Sequence, residues 1–255
     1  MSSTAPTTAP TAAPTNALAA PEALGASVDW PALAADFAPS SMGTPSHLWT
    51  FAEESGDAID QVGSVDLVDT GTNYRSATGP DDRREWRFVG SASSPSSSDI
   101  DTSGSVRIGL VASLRSGASH GALVSNANAA TPFAGFALYI TNTSRLTFEF
   151  VDSSTSVVTS ISAVHPRGSA DDYRIICGIN DGNLELITDQ LELLTTPLPA
   201  MATGLSVSGK FAVGHSVRYQ ATLNCSRCVV WKGAEAERDI ATEFTAFQAA
   251  YPVTA

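Results

Sequence analysis

Residues 117–121, GASHG, contain the Gly-x-Ser-x-Gly pattern that surrounds the nucleophile of many serine hydrolases. In those enzymes the serine lies in a sharp turn between a strand and a helix, where backbone N–H groups stabilise the oxyanion. Here the following residues, ALVSNANAATPF, are typical of a strand and then a loop. His120 directly follows Ser119, so the two side chains point apart and cannot share a proton. The pattern therefore indicates a hairpin loop rather than a catalytic serine.

Paired carboxylates would be a second source of chemistry, because retaining glycosidases need two carboxyl groups about 5–5.5 Å apart. On a strand, that requires residues two or four positions apart on one face. Glu149 and Asp152 are three apart and are expected on opposite faces. Glu185 and Asp189 are four apart, but a turn is predicted to begin at Asp189, and Glu192 lies beyond that turn. We therefore predict no catalytic residues.

The three cysteines, Cys177, Cys225 and Cys228, are an odd number, which defines no disulfide framework. Cys225 and Cys228 have the Cys-x-x-Cys spacing of redox and zinc sites. They lie in a strand-like stretch, where residues three apart face opposite ways, and zinc would need further ligands such as Cys177 and His215. Buried thiols are the favoured interpretation, with no metal and no cofactor.

The composition limits the partners of the chain. Of 255 residues, 43% are hydrophobic and 16% charged, and the net charge is −12. Such a chain repels phosphate backbones, so no nucleic acid is expected as a partner. We find no secretory signal peptide and no apolar stretch near the ~20 residues that span a bilayer. The expectation is a protein made in the cytoplasm that does not insert into a membrane.

The sequence divides into three parts. Residues 1–26 are rich in Ala, Pro and Thr and are predicted to be an extended arm or linker. Residues 27–46 are predicted to be a docking segment, either a short helix capped by Asp29 or aromatic residues packed against the main domain. Residues 47–255 are predicted to form that domain.

Within the domain, short runs of alternating polarity between turn signals predict about a dozen strands. In residues 145–152, RLTFEFVD, one face is predicted to carry Leu146, Phe148 and Phe150. The other face is predicted to carry Arg145, Thr147, Glu149 and Val151. The sequence NDGN at 180–183 predicts a tight hairpin turn, and Asp189-Gln190 a poorer one. Apolar residues at 240, 244, 247 and 251 predict one C-terminal helix. The strands are predicted near 47–53, 64–70, 86–90, 105–114, 121–126, 135–141, 145–152, 156–164, 173–180, 183–188, 191–195, 211–217 and 221–232.

Three stretches together resemble the concanavalin A-like lectin and glucanase jelly rolls, in the laminin-G-like and pentraxin-like branch. These are HLWTFAEESGDAIDQVGSVDL at 47–67, GFALYITNTSRLTFEFVDS at 135–153 and YRIICGINDGNLELITDQLEL at 173–193, followed by a closing segment at 209–244. The resemblance implies an all-β, two-sheet antiparallel jelly-roll sandwich with an N-terminal arm and a short C-terminal helix. The carboxylate signature of the family's glycan hydrolases is absent. The rims lack a calcium-binding acidic cluster, although Asp57, Asp60 and Asp69 are scattered candidates.

An adhesin-type fold without an export signal, with free cysteines and a flexible arm, favours a non-catalytic virion protein. We expect a phage tail, tail-tip or capsid-decoration component that attaches to other virion proteins through its arm, forms a homo-oligomer and binds host-surface glycans. The alternative is a cellular carbohydrate-binding module, and a glycan hydrolase is third. Sugar-binding residues stay unknown from sequence, with Tyr74, Trp86, Asn126 and Asn128 as the candidates for stacking or hydrogen bonding.

Overall fold

The structure, a computed structural model, describes most of the predicted domain. The described residues are 42–53, 56–68, 74–76, 85–88, 100–102, 104–114, 121–126, 135–152, 155–164, 172–199, 211–214 and 223–253. The arm at 1–26 and most of the docking segment lie outside them.

Thirteen strands form two antiparallel sheets within the described residues. In chain order the strands are β1 His47–Trp49, β2 Tyr74–Ser76, β3 Glu85–Phe88, β4 Val106–Leu114, β5 Gly121–Ser125, β6 Gly135–Ile140, β7 Arg145–Val151, β8 Val158–Val164, β9 Asp172–Asn180, β10 Asn183–Thr188, β11 Leu191–Pro197, β12 Ala212–Val213 and β13 Leu223–Lys232. One sheet has eight strands in the order β11-β10-β9-β4-β13-β3-β2, with β1 also paired to β13, and the other has five in the order β12-β5-β6-β7-β8. The predicted fold class, a two-sheet antiparallel sandwich, is confirmed.

The interior between the sheets is built from the apolar side chains that alternate along each strand. On β7, Leu146, Phe148 and Phe150 face this interior and are almost completely buried. Phe51, which follows β1, and Trp86 of β3 also lie in this interior, with their ring centroids 5.5 Å apart. Burial of such large apolar side chains, each contributing about 1.5–3 kcal/mol, is the main force that holds the two sheets together.

A single described α-helix, α1 Ile240–Ala250, covers the outward face of the eight-stranded sheet. It begins at Asp239, whose carboxylate accepts from the Thr242 N–H. Its buried ring Phe247 packs against Trp231 of β13. The predicted C-terminal helix is therefore confirmed. In the part of the chain that the structure describes, no helix has the length and apolarity required to cross a membrane.

The described end of the docking segment packs on the same outward face. Met42 is buried among residues of α1 and the sheet. The Gly43 N–H donates to Glu243 of α1 at 2.7 Å, and its carbonyl accepts from the Trp231 indole at 2.9 Å. Residues 42–46 thus contact the domain itself.

Both hairpin turns predicted from the sequence, at 180–183 and at 189–190, are present in the structure. Asp181 and Gly182 have φ angles of 44° and 72°, as a two-residue turn with two left-handed residues requires. The turn at 189–190 also joins two paired strands, β10 and β11. Of the predicted strand at 64–70, residues 64–68 are described and form no continuous strand; Leu67 and Val68 are bridge residues, with Leu67 paired to Ala58, and residues 69 and 70 lie outside the described part. Strand β2 was not predicted.

The hairpin predicted at 117–121 is also wrong. Residues 115–120 lie outside the described part of the chain, but the strands on either side are described. Strand β4 belongs to the eight-stranded sheet and β5 to the five-stranded sheet, and the two are not paired. A hairpin requires its two strands to be paired, so β4 and β5 do not form one. The strand β5 begins at Gly121, the last residue of the motif, where a nucleophile elbow would continue into a helix.

Candidate functional site

The outward face of the five-stranded sheet carries a group of polar side chains, which we call the polar face: Tyr139, Arg145, Thr147, Glu149, Ser160 and Ser162. The strand register brings them together. Thr147 lies opposite Tyr139 on one side and Ser162 on the other, and Glu149 lies opposite Ser160. Because the apolar residues of β7 fill the interior, these side chains must point away from it.

Hydrogen bonds connect most of the polar face. The Tyr139 hydroxyl donates to Glu149 Oε2 at 2.9 Å. The Arg145 guanidinium donates through Nε to the Ser162 hydroxyl at 2.9 Å and through Nη2 to the Ser162 carbonyl at 2.8 Å. Thr147 and Ser162 share a further hydroxyl–hydroxyl bond of 2.9 Å. These bonds fix the positions of the charged and hydroxyl groups before any ligand arrives.

Exposure divides the polar face into two zones. Tyr139, Thr147 and Glu149 are buried. Arg145, Ser160 and Ser162 are exposed, at the side of the sheet where β8 forms its edge. This exposed zone offers guanidinium donors together with hydroxyl groups that both donate and accept, a combination suited to a ligand rich in hydroxyl or carboxylate groups.

The carboxylates considered for glycoside hydrolysis are separated by the fold. Glu149 belongs to the five-stranded sheet, whereas Glu185 and Asp189 belong to the eight-stranded sheet and its β10–β11 turn. Glu185 pairs with the buried Arg107 at 2.7 Å, and Asp189 pairs with Arg174 at 2.9 Å. Glu149 therefore does not form an acid–nucleophile pair with either of them.

Asp60, one of the scattered calcium candidates, is instead a structural anchor. Its carboxylate accepts hydrogen bonds from the backbone N–H groups of Leu48, Val62, Gly63 and Val65, at 2.9–3.3 Å. The His47 ring nitrogen lies 2.6 Å from the same carboxylate. Burial acts to raise the pKa of Asp60, but these hydrogen bonds outweigh it and lower the pKa below its ordinary value. With its oxygens occupied by protein donors, Asp60 is poorly suited to bind an ion.

The other two calcium candidates are Asp57 and Asp69. Asp57 is exposed, and Asp69 lies outside the described residues. Among the described side chains, no group of three or more His, Cys, Asp or Glu residues is arranged to hold a metal ion.

The cysteines all lie in the interior between the sheets. We predicted that Cys225 and Cys228 face opposite ways, and this is wrong. A β-bulge between Cys225 and Arg227 inserts one extra residue opposite β4, which turns both thiols inward. Burial raises the pKa of the Cys177 and Cys228 thiols well above the ordinary value, so neither thiol is poised for redox chemistry.

Two of the residues considered for sugar binding are buried. Trp86 is fully buried, and its indole donates to the Glu53 carbonyl, so its ring cannot stack on a ligand. Asn126 is buried and bonds to Thr102 and to the Phe136 N–H. Tyr74 begins β2, but its side chain is not among the described ones, and Asn128 is outside the described residues.

The comparisons with known proteins identify the fold. No protein-family model matches the sequence, and no curated protein is significantly similar to it. Among solved structures, the chain superposes on a Trypanosoma rangeli sialidase in complex with a difluorinated sugar analogue with a TM-score of 0.61 and 10% identity, over 86% of this chain and 37% of the sialidase. The same sialidase in complex with sialic acid gives a TM-score of 0.59 and 9% identity, over 79% of this chain and 32% of the other.

The chain thus spans about a third of the length of these sialidases. A shorter match, with a TM-score of 0.44 and 14% identity over 50% of this chain and 75% of the other, is to a Ruminococcus gnavus sialidase CBM40 bound to α2,3-sialyllactose. Identity this low establishes the fold alone. The two sheets therefore form a β-sandwich that is similar in fold to the matched part of these sialidases.

Sequence reasoning did not identify the polar face as a site. Its signal was nevertheless present in the alternation of RLTFEFVD, which assigned Arg145, Thr147 and Glu149 to one outward face. What the sequence lacked was the pairing partner of that strand. Only the register between β7 and β8 shows that Ser160 and Ser162 complete the face.

Proposed function

We propose that this chain is a non-catalytic glycan-binding domain, a carbohydrate-binding module that binds through its polar face. The observation that carries the proposal is the pre-ordered network around Arg145, Thr147 and Ser162, with its exposed zone beside Ser160. Sugars present many hydroxyl groups on a small apolar frame, and such ligands are recognised by a few fixed polar groups on a rigid scaffold. A rigid sheet holds these groups in place more firmly than a loop does.

The similarity to sialidases supports the choice of a glycan as the ligand class. The solved structures named above are of proteins bound to sialic acid, a sugar analogue or a sialylated sugar. Within the polar face, the Arg145 guanidinium is suited to pair with the carboxylate of an acidic sugar in a bidentate manner. The separated carboxylates described above favour binding without hydrolysis.

The module interpretation takes precedence over the virion interpretation, because the similar structures are sialidases and a carbohydrate-binding module. Attachment to a virus particle through residues 1–26 stays a prediction from the sequence.

The test is a binding screen of the purified chain against an array of neutral and sialylated oligosaccharides, followed by calorimetric titration of any sugar that binds. We expect Arg145→Ala to weaken binding at least about tenfold, since charge-assisted hydrogen bonds contribute about 1.5–3 kcal/mol each. Arg87→Ala is the matched control, because Arg87 is an exposed strand arginine on the other sheet. Absence of binding to every sugar, or equal loss with both variants, would refute the proposal.

A further inference from the structure

Strand β8 forms one edge of the five-stranded sheet, and its sequence is close to a palindrome. The strand reads VTSISAV from Val158 to Val164, with Ile161 at its centre. Valine lies three positions from the centre on each side, and serine lies one position from it on each side. A strand with this symmetry, paired antiparallel to a copy of itself about Ile161, places Val158 opposite Val164 and Ser160 opposite Ser162.

The alternation of backbone hydrogen bonds along β8 directs the N–H and C=O groups of the same residues toward the free edge. The Asp152 N–H donates to the Val157 carbonyl, so that pair is hydrogen-bonded across the β7–β8 hairpin. In an antiparallel ladder, hydrogen-bonded pairs alternate with non-hydrogen-bonded ones. The residues paired with β7 are therefore 159, 161 and 163. The N–H and C=O groups of Val158, Ser160, Ser162 and Val164 face away from β7, and no described strand pairs with them.

The side chains of the same four residues are exposed. Val158 is 52% and Val164 65% exposed, and both serines are exposed as well. Natural sheets usually protect an edge of this length with lysine, proline or a bulge. The described strand has none of these, and its pairing with β7 runs without a register shift.

Charge favours a second copy of this chain as the occupant of the edge. The chain has a net charge of −12, which opposes self-association through most surfaces. Residues 157–164, VVTSISAV, carry no charged side chain. Two copies can approach along this strand without placing carboxylates opposite each other.

We propose that the chain forms a two-fold symmetric dimer in which β8 pairs antiparallel with β8 of a second copy, in the register that places Val158 opposite Val164. The pairing joins two five-stranded sheets into one continuous sheet through an isologous interface. Arg145 donates to the Ser162 carbonyl at this edge, but a carbonyl oxygen has two lone pairs and can also accept from the second copy. The proposal does not depend on glycan binding.

The oligomeric state of the full chain in solution is the test. A single strand pair is at the small end of protein interfaces, so dimerisation is expected to depend on concentration, and we propose sedimentation equilibrium from about 10 μM to about 1 mM. The double variant V158K/V164K places lysine opposite lysine, and we expect it to stay monomeric over this range. The control I59K/V68K makes the same change of charge at exposed apolar residues, 49% and 47% exposed, outside β8, and we expect it to dimerise like the unmodified chain.

A charge-swapped variant tests the register itself. V158K/V164E places each lysine opposite a glutamate of the second copy, and we expect it to restore the dimer that V158K/V164K loses. Far-UV circular dichroism of all variants reports whether the fold is intact. A monomeric unmodified chain at the highest concentration, a dimeric V158K/V164K, or a monomeric V158K/V164E would each overturn the proposal, and none of these results depends on whether a sugar binds.

Discussion

The substitution Asp60→Asn tests how the segment after β1 is held against the sandwich. The carboxylate divides its hydrogen bonds between its two oxygens. Oδ1 accepts from the N–H groups of Leu48, Val62 and Gly63, and Oδ2 accepts from Val65 and lies beside His47. Asparagine has nearly the same shape but only one accepting oxygen. The change therefore removes acceptors while it leaves the packing intact.

The expected loss of stability follows from that division. If the amide oxygen takes the place of Oδ1, the Val65 N–H faces an amide nitrogen that cannot accept, at a cost of about 1–3 kcal/mol. The three bonds to Oδ1 persist, but they lose the charge of the acceptor, which costs about 1–2 kcal/mol in total. His47 adds no cost, because its ring can exchange tautomers and accept from the new amide. We expect a loss of about 3 kcal/mol in the free energy of unfolding.

Urea unfolding of the two proteins, followed by circular dichroism, measures this difference from the shift of the midpoint at constant slope. Glu192→Gln is the control, because it removes one charge at an exposed residue of β11, and it should change the stability by less than about 0.5 kcal/mol. If Asp60→Asn cost no more than the control, the hydrogen bonds of Asp60 would not anchor the segment, and the reasoning would be refuted.

The loss of stability caused by Asp60→Asn should become smaller at low pH. The folded state holds the pKa of Asp60 below its ordinary value of 3.8. A lowered folded-state pKa means that the stabilisation is present above the unfolded-state pKa and is lost as the pH falls through the folded-state value. The difference between the two proteins should therefore be constant above about pH 5 and shrink below about pH 4.

Two further results are expected from the interior and from the covered face. The three cysteines are completely buried, so Ellman's reagent should label none of them in the folded protein and all of them in urea; fast labelling without denaturant would contradict their placement. A methyl group added at Gly109 would lie 2.9 Å from the Trp231 ring and 3.0 Å from Phe247, so Gly109→Ala should lower the unfolding free energy by about 1–3 kcal/mol. An unchanged urea midpoint would show that α1 does not pack closely on this strand.

Local patterns in the sequence were sufficient to predict most of the elements. The alternation in 145–152 separated the interior face of β7 from its polar face. The Asp181-Gly182 pair supplied the left-handed residues of the β9–β10 turn. The apolar stripe from 240 to 251 predicted α1. Each of these features depends on residues close together in the chain, and so the sequence carries it directly.

Features that depend on pairing between distant segments could not be predicted. The direction of Cys228 depends on a bulge that is defined only against β4. The role of Asp60 depends on four backbone N–H groups, which leave no mark on residue type. The candidate site was missed for the same reason, because Arg145 and Ser162 become neighbours only through the β7–β8 register.

The two outward faces of the sandwich differ in how their charged side chains are paired, and this difference supports the position of the proposed glycan-binding site. On the eight-stranded sheet, α1 and residues 42–46 cover part of the face, and two arginines of that sheet, Arg107 and Arg174, are engaged within the chain. Arg107 bonds to Glu185 and to the Arg238 carbonyl, while Arg174 bonds to Asp189 and to carbonyls at the end of α1. The guanidinium of Arg145, by contrast, is exposed and bonds to neutral groups of Ser162. Its positive charge is not paired with a carboxylate, and for that reason we place the proposed glycan-binding site on the five-stranded sheet.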